Sequence, residues 1–99
     1  MSSFTLTRIA KEDLKSIAIF TQKRWGKNQR IIYIKQIDDT FHLLAEQPNT
    51  GTACDYIKPG YRKFPSSNHI IYYREITANN IEVVRILHKR MDAHSNITA

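Results

Sequence analysis

The sequence predicts an α+β domain: an N-terminal strand, a helical hairpin, then a three-stranded antiparallel meander that completes a curled sheet. Three observations predict it. Two apolar stripes at helical spacing meet at a single glycine, Gly26. Turn chemistry replaces helical periodicity after Pro48. Strand-like runs then recur between short polar turns up to His88.

Each element has its own warrant. In Ser3 to Thr7, Phe4 and Leu6 alternate with small polar residues, as in a short strand with one buried face. Thr7 is placed to cap the helix that follows, its hydroxyl accepting from a free backbone N–H. From Ala10 to Trp25, the residues Ala10, Leu14, Ile17, Ala18, Thr21 and Trp25 form one stripe, and Trp25 is expected to pack in the hairpin core. Gly26 ends this helix, because glycine readily takes a left-handed cap conformation. A second helix is expected from Lys27 to Gln47, with Ile31, Ile34, Ile37, Phe41 and Leu44 on its apolar side and Pro48 as its stop. Each helix alone is marginal, so the stripes must bury against each other or against a sheet.

Asn49-Thr50-Gly51 and Lys58-Pro59-Gly60 are turn signals. Strands are predicted at Tyr61 to Pro65, His69 to Ile76 and Ile81 to His88, joined by turns at Ser66-Ser67-Asn68 and Thr77-Ala78-Asn79-Asn80. Strict alternation puts Ile70, Tyr72, Arg74 and Ile76 opposite Ile71, Tyr73 and Glu75. In the last strand it puts Ile81, Val83, Arg85 and Leu87 opposite Glu82, Val84, Ile86 and His88. Both strands are apolar on two sides, as central strands are. The first strand must then join a sheet edge to satisfy its backbone groups. The expected organisation is a single domain over residues 1–92, followed by a patternless, flexible tail over 93–99.

Composition narrows the function classes. Fifteen Lys and Arg against nine Asp and Glu give a formal net charge of +6 and a pI near 9.7. That balance suits an acidic partner, whether nucleic acid or an acidic protein segment. No run of eighteen apolar residues suggests a membrane span, and the N-terminal stretch does not read as a signal peptide. Cys54 is the only cysteine, which fits a reducing compartment such as the cytoplasm. Asn96-Ile97-Thr98 matches a glycosylation sequon, a chance match in such a compartment. Glycines 26, 51 and 60 are isolated, so there is no phosphate loop. One Cys and four scattered His do not make a zinc site, and no cofactor is expected. Asp38 and Asp39, adjacent on a helix, point about 100° apart and are no catalytic dyad.

The chemistry that remains lies in EVVRILHKRMD, residues 82 to 92, where an apolar strand runs out into titratable and cationic groups. RNA cleavage would need an acid, a base and cations on the phosphate. His88 is the candidate acid or base, with Arg85 and Arg74 as candidate clamps. Arg62, Arg74, Arg85, His88, Lys89, Arg90 and Met91 are alternatively an interaction surface. The competing structural reading is a ladder of arginines paired with Glu75, Glu82 or Asp92. Lys23, Arg24, Lys27 and Arg30 crowd the helix joint, either as a patch for an acidic partner or as a solvated bend. Tyr33, Tyr72 and Tyr73 suit base stacking or, more simply, the core.

Taken in order and spacing, several motifs resemble the ParE toxins of the RelE/ParE superfamily. They are Ala10-Lys11-Glu12-Asp13-Leu14 with Ile17, Trp25-Gly26, Leu44-Ala45-Glu46-Gln47-Pro48 with Gly51, Tyr61-Arg62-Lys63-Phe64, His69-Ile70-Ile71-Tyr72-Tyr73-Arg74 and Val84 through Asp92. The resemblance spans nearly everything from Phe4 to Asp92. It implies a RelE/ParE-like fold and a toxin that poisons DNA gyrase without cleaving a substrate itself, its A subunit being the expected contact. It also implies a ParD-type antitoxin whose flexible C-terminal segment wraps the toxin and whose N-terminal part dimerises on operator DNA. Nucleic acid would be met only through gyrase and that operator complex. The alternative within the superfamily is a ribosome-dependent mRNA endonuclease of the RelE type.

Overall fold

The computed structural model describes residues 2–98. β1 (Ser3–Leu6) leads into α1 (Arg8–Trp25) and α2 (Lys27–Glu46). A single 3-10 turn at Pro48–Thr50 precedes β2 (Thr52–Ala53). β3 (Tyr61–Ser66), β4 (His69–Thr77) and β5 (Asn80–His88) follow, and α3 (Ala93–Thr98) closes the described chain. The five strands form one sheet in the order β1-β5-β4-β3-β2. β1 runs parallel to β5 at one edge, and every other pairing is antiparallel. β1 therefore joins a sheet edge, as its unpaired backbone required.

The helix boundaries follow their sequence signals closely. Thr7 caps α1, its Oγ1 accepting from the Ala10 N–H at 3.0 Å. Gly26 closes α1 and opens α2 at φ +95°, a conformation that L side chains rarely adopt. The α1–α2 hairpin lies on one face of the sheet. Ala10, Ile17, Ile37, Phe41 and Leu44 bury against Ile71, Tyr73, Ile81, Val83 and Ile86. A second, smaller cluster fills the opposite face, where Cys54 and Ile57 pack on Tyr72 and Leu87. Apolar residues on both faces of β4 and β5 thus have separate destinations.

Four expectations need correction. Trp25 is 65% exposed, because α1 ends at that residue and its ring lies outside the hairpin core. Ile31 is also half exposed, since the buried side of α2 runs through Ile37, Phe41 and Leu44. Strict alternation fails in β5: Tyr72 pairs with Arg85 but Tyr73 pairs with Val83, which leaves Val84 as a bulge. Faces therefore exchange at Val84. Val83 and Ile86 join the hairpin-side core, while Leu87 belongs to the other cluster. Finally, the patternless tail contains a helix. Asp92 caps α3, accepting from Ser95 Oγ at 2.7 Å and the His94 N–H at 3.2 Å, and Ala93 and Ile97 pack on the second cluster. Six residues are too few to show a helical period, so this helix carries no sequence signal. The two-residue strand β2 was equally illegible.

Candidate functional site

The three sheet arginines singled out from sequence are held by the protein's own acceptors. Arg85 donates from Nε and Nη2 to the two Asp13 oxygens at 2.8 and 3.0 Å, and from Nη1 to the Asn96 carbonyl at 2.7 Å. Asp13 also accepts from the Ile86 N–H at 3.0 Å. β1 pairs with β5 only as far as Val83, so this carboxylate satisfies a donor on the strand edge beyond it. The two side chains are only about 15% exposed, and the Asp13 contact raises the Arg85 pKa. Arg85 is therefore a tie between α1, β5 and α3. Arg62 donates to the Gly51 carbonyl at 2.7 Å, and Arg74 pairs with Glu82 at 2.9 Å across the β4–β5 ribbon.

The Arg62 contact belongs to a second tie. Tyr73, fully buried, donates its hydroxyl to the Pro48 carbonyl at 2.7 Å and accepts from the Gly51 N–H at 2.8 Å. A Cβ at Gly51 would stand 2.4 Å from that hydroxyl and 2.8 Å from the Lys63 carbonyl oxygen. Gly51 is present because the backbone must pass this close to the ring.

His88 lies elsewhere. It pairs directly with His69 across β4 and β5, and its ring faces the hairpin side, opposite to Arg85 and Leu87. The two imidazoles meet edge to face with centroids 5.6 Å apart. Tyr33 of α2 completes the group, its Oη 2.7 Å from His69 Nδ1 and 3.3 Å from the Asn68 N–H. With the Tyr33 hydroxyl donating to Nδ1, neutral His69 carries its ring proton on Nε2. His88 Nδ1 accepts from the Arg90 N–H at 3.2 Å, so neutral His88 also carries its proton on Nε2. Burial, and next the electrostatic influence of the neighbouring His88 imidazole, lower the His69 pKa.

These side chains open on a cleft of about 430 Å³, lined chiefly by Phe20, Trp25, Gln29, Tyr33, His69 and His88, with no carboxylate among its lining groups. Phe20 is 64% exposed, and the Arg24 guanidinium lies 5.4 Å from the Trp25 ring centroid. The cleft is thus bounded by the helix joint on one side and the β5 exit on the other. Lys23, Arg24, Lys27 and Arg30 flank Trp25 in sequence, and Lys89, Arg90 and Met91 follow His88. None of these six cations takes part in an ion pair among the described residues. The positive end of α2 opens here too, with no side-chain cap and no acid in its first turn.

Of the residues expected to act together, His88 does not converge with Arg62, Arg74 or Arg85. Instead the structure joins it to His69, Tyr33, Phe20 and Trp25. His69 carried a usable signal. If the register of the Thr77–Asn80 turn is carried straight along the ribbon, it pairs His69 with His88. The pairing survives because the irregularities at Ile76 and Val84 fall on opposite strands and cancel. Phe20 carried none, and Tyr33 stood out only as a residue for stacking or the core, since their place depends on how the hairpin crosses the sheet.

A model of the family described as "ParE toxin of type II toxin-antitoxin system, parDE" matches residues 4–93. The chain is 38% identical over 96 residues to Toxin ParE1 of Mycobacterium tuberculosis, covering 97% of this chain and 98% of that one. It is 32% identical over 97 residues to Toxin ParE1 of Caulobacter vibrioides, covering 98% and 99%. A solved structure described as a chromosomal ParDE toxin–antitoxin system from P. aeruginosa superposes with a TM-score of 0.73 at 22% identity, over 89% of this chain and 96% of that one. That likeness supports the same fold.

Proposed function

The chain belongs to the ParE toxin family of type II toxin–antitoxin systems, and from that premise we propose that it arrests growth by poisoning DNA gyrase, through its A subunit, and is neutralised by a ParD-type antitoxin. On this reading it acts by gripping its target and turns over no substrate, needing no cofactor.

The observation that carries the non-enzymatic reading is the dispersal of the candidate catalytic groups. An endonuclease of the RelE type would need His88 and an arginine on one phosphate. Here Arg85 is bound to Asp13 and Asn96, Arg74 to Glu82, and His88 is on the face opposite to Arg85.

For the antitoxin, the outer side of the hairpin offers a fitting surface. A groove of about 280 Å³ runs between the helices, lined by Ala18, Arg30, Ile31 and Ile34, with Ile19 and Ile32 half exposed nearby. An acidic, amphipathic segment that folds on binding would bury apolar residues there and meet the excess positive charge. Of the interaction residues expected from sequence, His88, Lys89, Arg90 and Met91 remain the best target contacts, and Arg74 is partly available. Arg62 and Arg85 act by shaping the sheet.

A supercoiling assay beside a message-cleavage assay, on one preparation, tests the proposal. Supercoiling should fall, cleaved DNA should accumulate with gyrase, and antitoxin should reverse both. Undiminished supercoiling at saturating protein would refute it. Lys89→Ala with Arg90→Ala is a better probe of the β5 exit than truncation after Leu87, since truncation also strips Ala93 and Ile97 from the second cluster.

A further inference from the structure

We propose that the cleft between the helix joint and the β5 exit holds a nucleobase and its phosphate from single-stranded DNA. The choice of DNA over RNA rests on the gyrase reading above. The choice of a nucleotide chemistry rests on the cleft itself.

Four features point to that ligand. The first is aromatic surface left in solvent: Phe20 and Trp25 are each about 65% exposed although both line a concave site. Flat rings of this kind stack on any base. The second is donor chemistry. Neutral His69 and His88 both have Nδ1 occupied, by the Tyr33 hydroxyl and the Arg90 N–H. Each therefore has an Nε2–H to donate, and the Gln29 amide adds further donors. The third is sign. Among the described residues no carboxylate lines the cleft, and six cations that form no ion pair among those residues flank its lining residues in sequence, Arg30 on the side of the outer groove. A phosphate meets no lining carboxylate there, and Asp13, which acts weakly on His69, is itself held by Arg85. An acidic side chain would find the same cations, but a base uses the stacking platforms and the ring donors together. The fourth is size: about 430 Å³ lies within the range of roughly 300–1,000 Å³ common to small-ligand sites, too small for a packed helix.

The arrangement would act as a clamp on unpaired DNA. Phe20 and Trp25 hold the base, His69 and His88 donate to base or phosphate oxygens, and the lysines and arginines track the neighbouring phosphates. Bases within a duplex are already stacked and present no free face, so single strands are preferred.

Trp25 is the only tryptophan in the chain, so its fluorescence reads the site directly. The full chain is titrated with a short oligothymidylate, and binding of a labelled copy is followed in parallel by anisotropy. The expected result is saturable quenching whose affinity weakens as salt rises. Phe20→Ala and His88→Gln should each weaken binding at least fivefold, while Lys58→Ala, in the loop on the other side of the sheet, should leave it unchanged. Absence of quenching at millimolar oligonucleotide overturns the proposal. So does a loss in Lys58→Ala equal to that in His88→Gln, which would mean diffuse charge attraction. Quenching by a glutamate-rich amphipathic peptide but not by DNA would make the cleft a protein-docking surface. Tenfold tighter binding of oligouridylate would reject DNA as the ligand. Because gyrase is absent from this assay, the two readings fail separately. A chain that binds DNA here but leaves supercoiling intact defeats only the gyrase proposal. One that blocks gyrase without binding the oligonucleotide defeats only the clamp.

Discussion

Arg85 and His88 stand three residues apart on one strand, yet their surroundings use polar chemistry in opposite ways. Around Arg85 the groups are satisfied internally: the guanidinium reaches Asp13 and the Asn96 carbonyl, and the same carboxylate takes the Ile86 N–H. Around His88, among the described residues, each imidazole shows a hydrogen bond on one nitrogen, the rings of Phe20 and Trp25 are mostly exposed, and the cations neighbouring them in sequence show no ion pair. The contrast separates what holds the sheet together from what is left for a partner. A charged residue in a strand is no guide to function until its acceptors are known.

Substitutions can break or sharpen that division. The largest loss of stability is expected from Gly51→Ala, which drives a methyl group into the Tyr73 hydroxyl and the Lys63 carbonyl. Overpacking at a buried site costs about 3 kcal/mol, read as a lower urea midpoint. Next comes Asp13→Ala, which strips the carboxylate from a mostly buried guanidinium and from the Ile86 N–H. A loss of roughly 2–3 kcal/mol is expected, and an unchanged urea midpoint would show that the tie contributes nothing. Tyr73→Phe leaves the Gly51 N–H without its partner, for about 1–2 kcal/mol. Since Gly51 and Tyr73 touch, its effect should not add simply to that of Gly51→Ala.

The His88 end should respond differently. The folded pKa of His69 lies below its ordinary value of 6.5, so the unfolded chain binds more protons as pH drops. Stability from neutral His69 is present above that value and is lost as pH falls below it. Tyr33 from α2 and His88 from β5 face the ring, and the weaker pull of Asp13 from α1 opposes the shift. Thermal melts from pH 7.5 to 5.5 should show a steeper decline in the native chain than in His69→Gln; parallel curves would remove His69 as the cause. Smallest of all, Trp25→Ala should change stability by less than about 0.5 kcal/mol, because the ring is mostly in solvent. A large loss there would erase the distinction between the two regions.

Much of the fold was legible because its signals are local. The apolar stripe through Ile37, Phe41 and Leu44, the Thr7 cap, the Gly26 joint and the turns at Gly60 and Asn79 each need only neighbouring residues to specify a conformation. The same holds for the two-sided apolar strands, and for the family motifs that name the toxin. The candidate site was legible only in part. His88 and the cationic exit were visible, whereas the pairing of His69 with His88 came from the structure. Arg62 and Arg85 read as binding groups because nothing local shows that Gly51 and Asp13 will lie beside them.

The sequence by itself determined the order of the main elements (the first strand, the two long helices and the three-stranded meander), the central position of β4 and β5, the positive charge and membership of a toxin family. Tertiary structure alone decided which arginines are ties within the sheet, that Val84 bulges and exchanges the faces of β5, that Trp25 remains mostly in solvent, and that α3 packs on the second cluster. The physical reason is distance along the chain. Periodicity, caps and turns act over a few residues, whereas Asp13 and Arg85 are 72 positions apart and Tyr33 and His69 are 36. Their meeting depends on how the hairpin crosses the sheet, which no short stretch of sequence encodes.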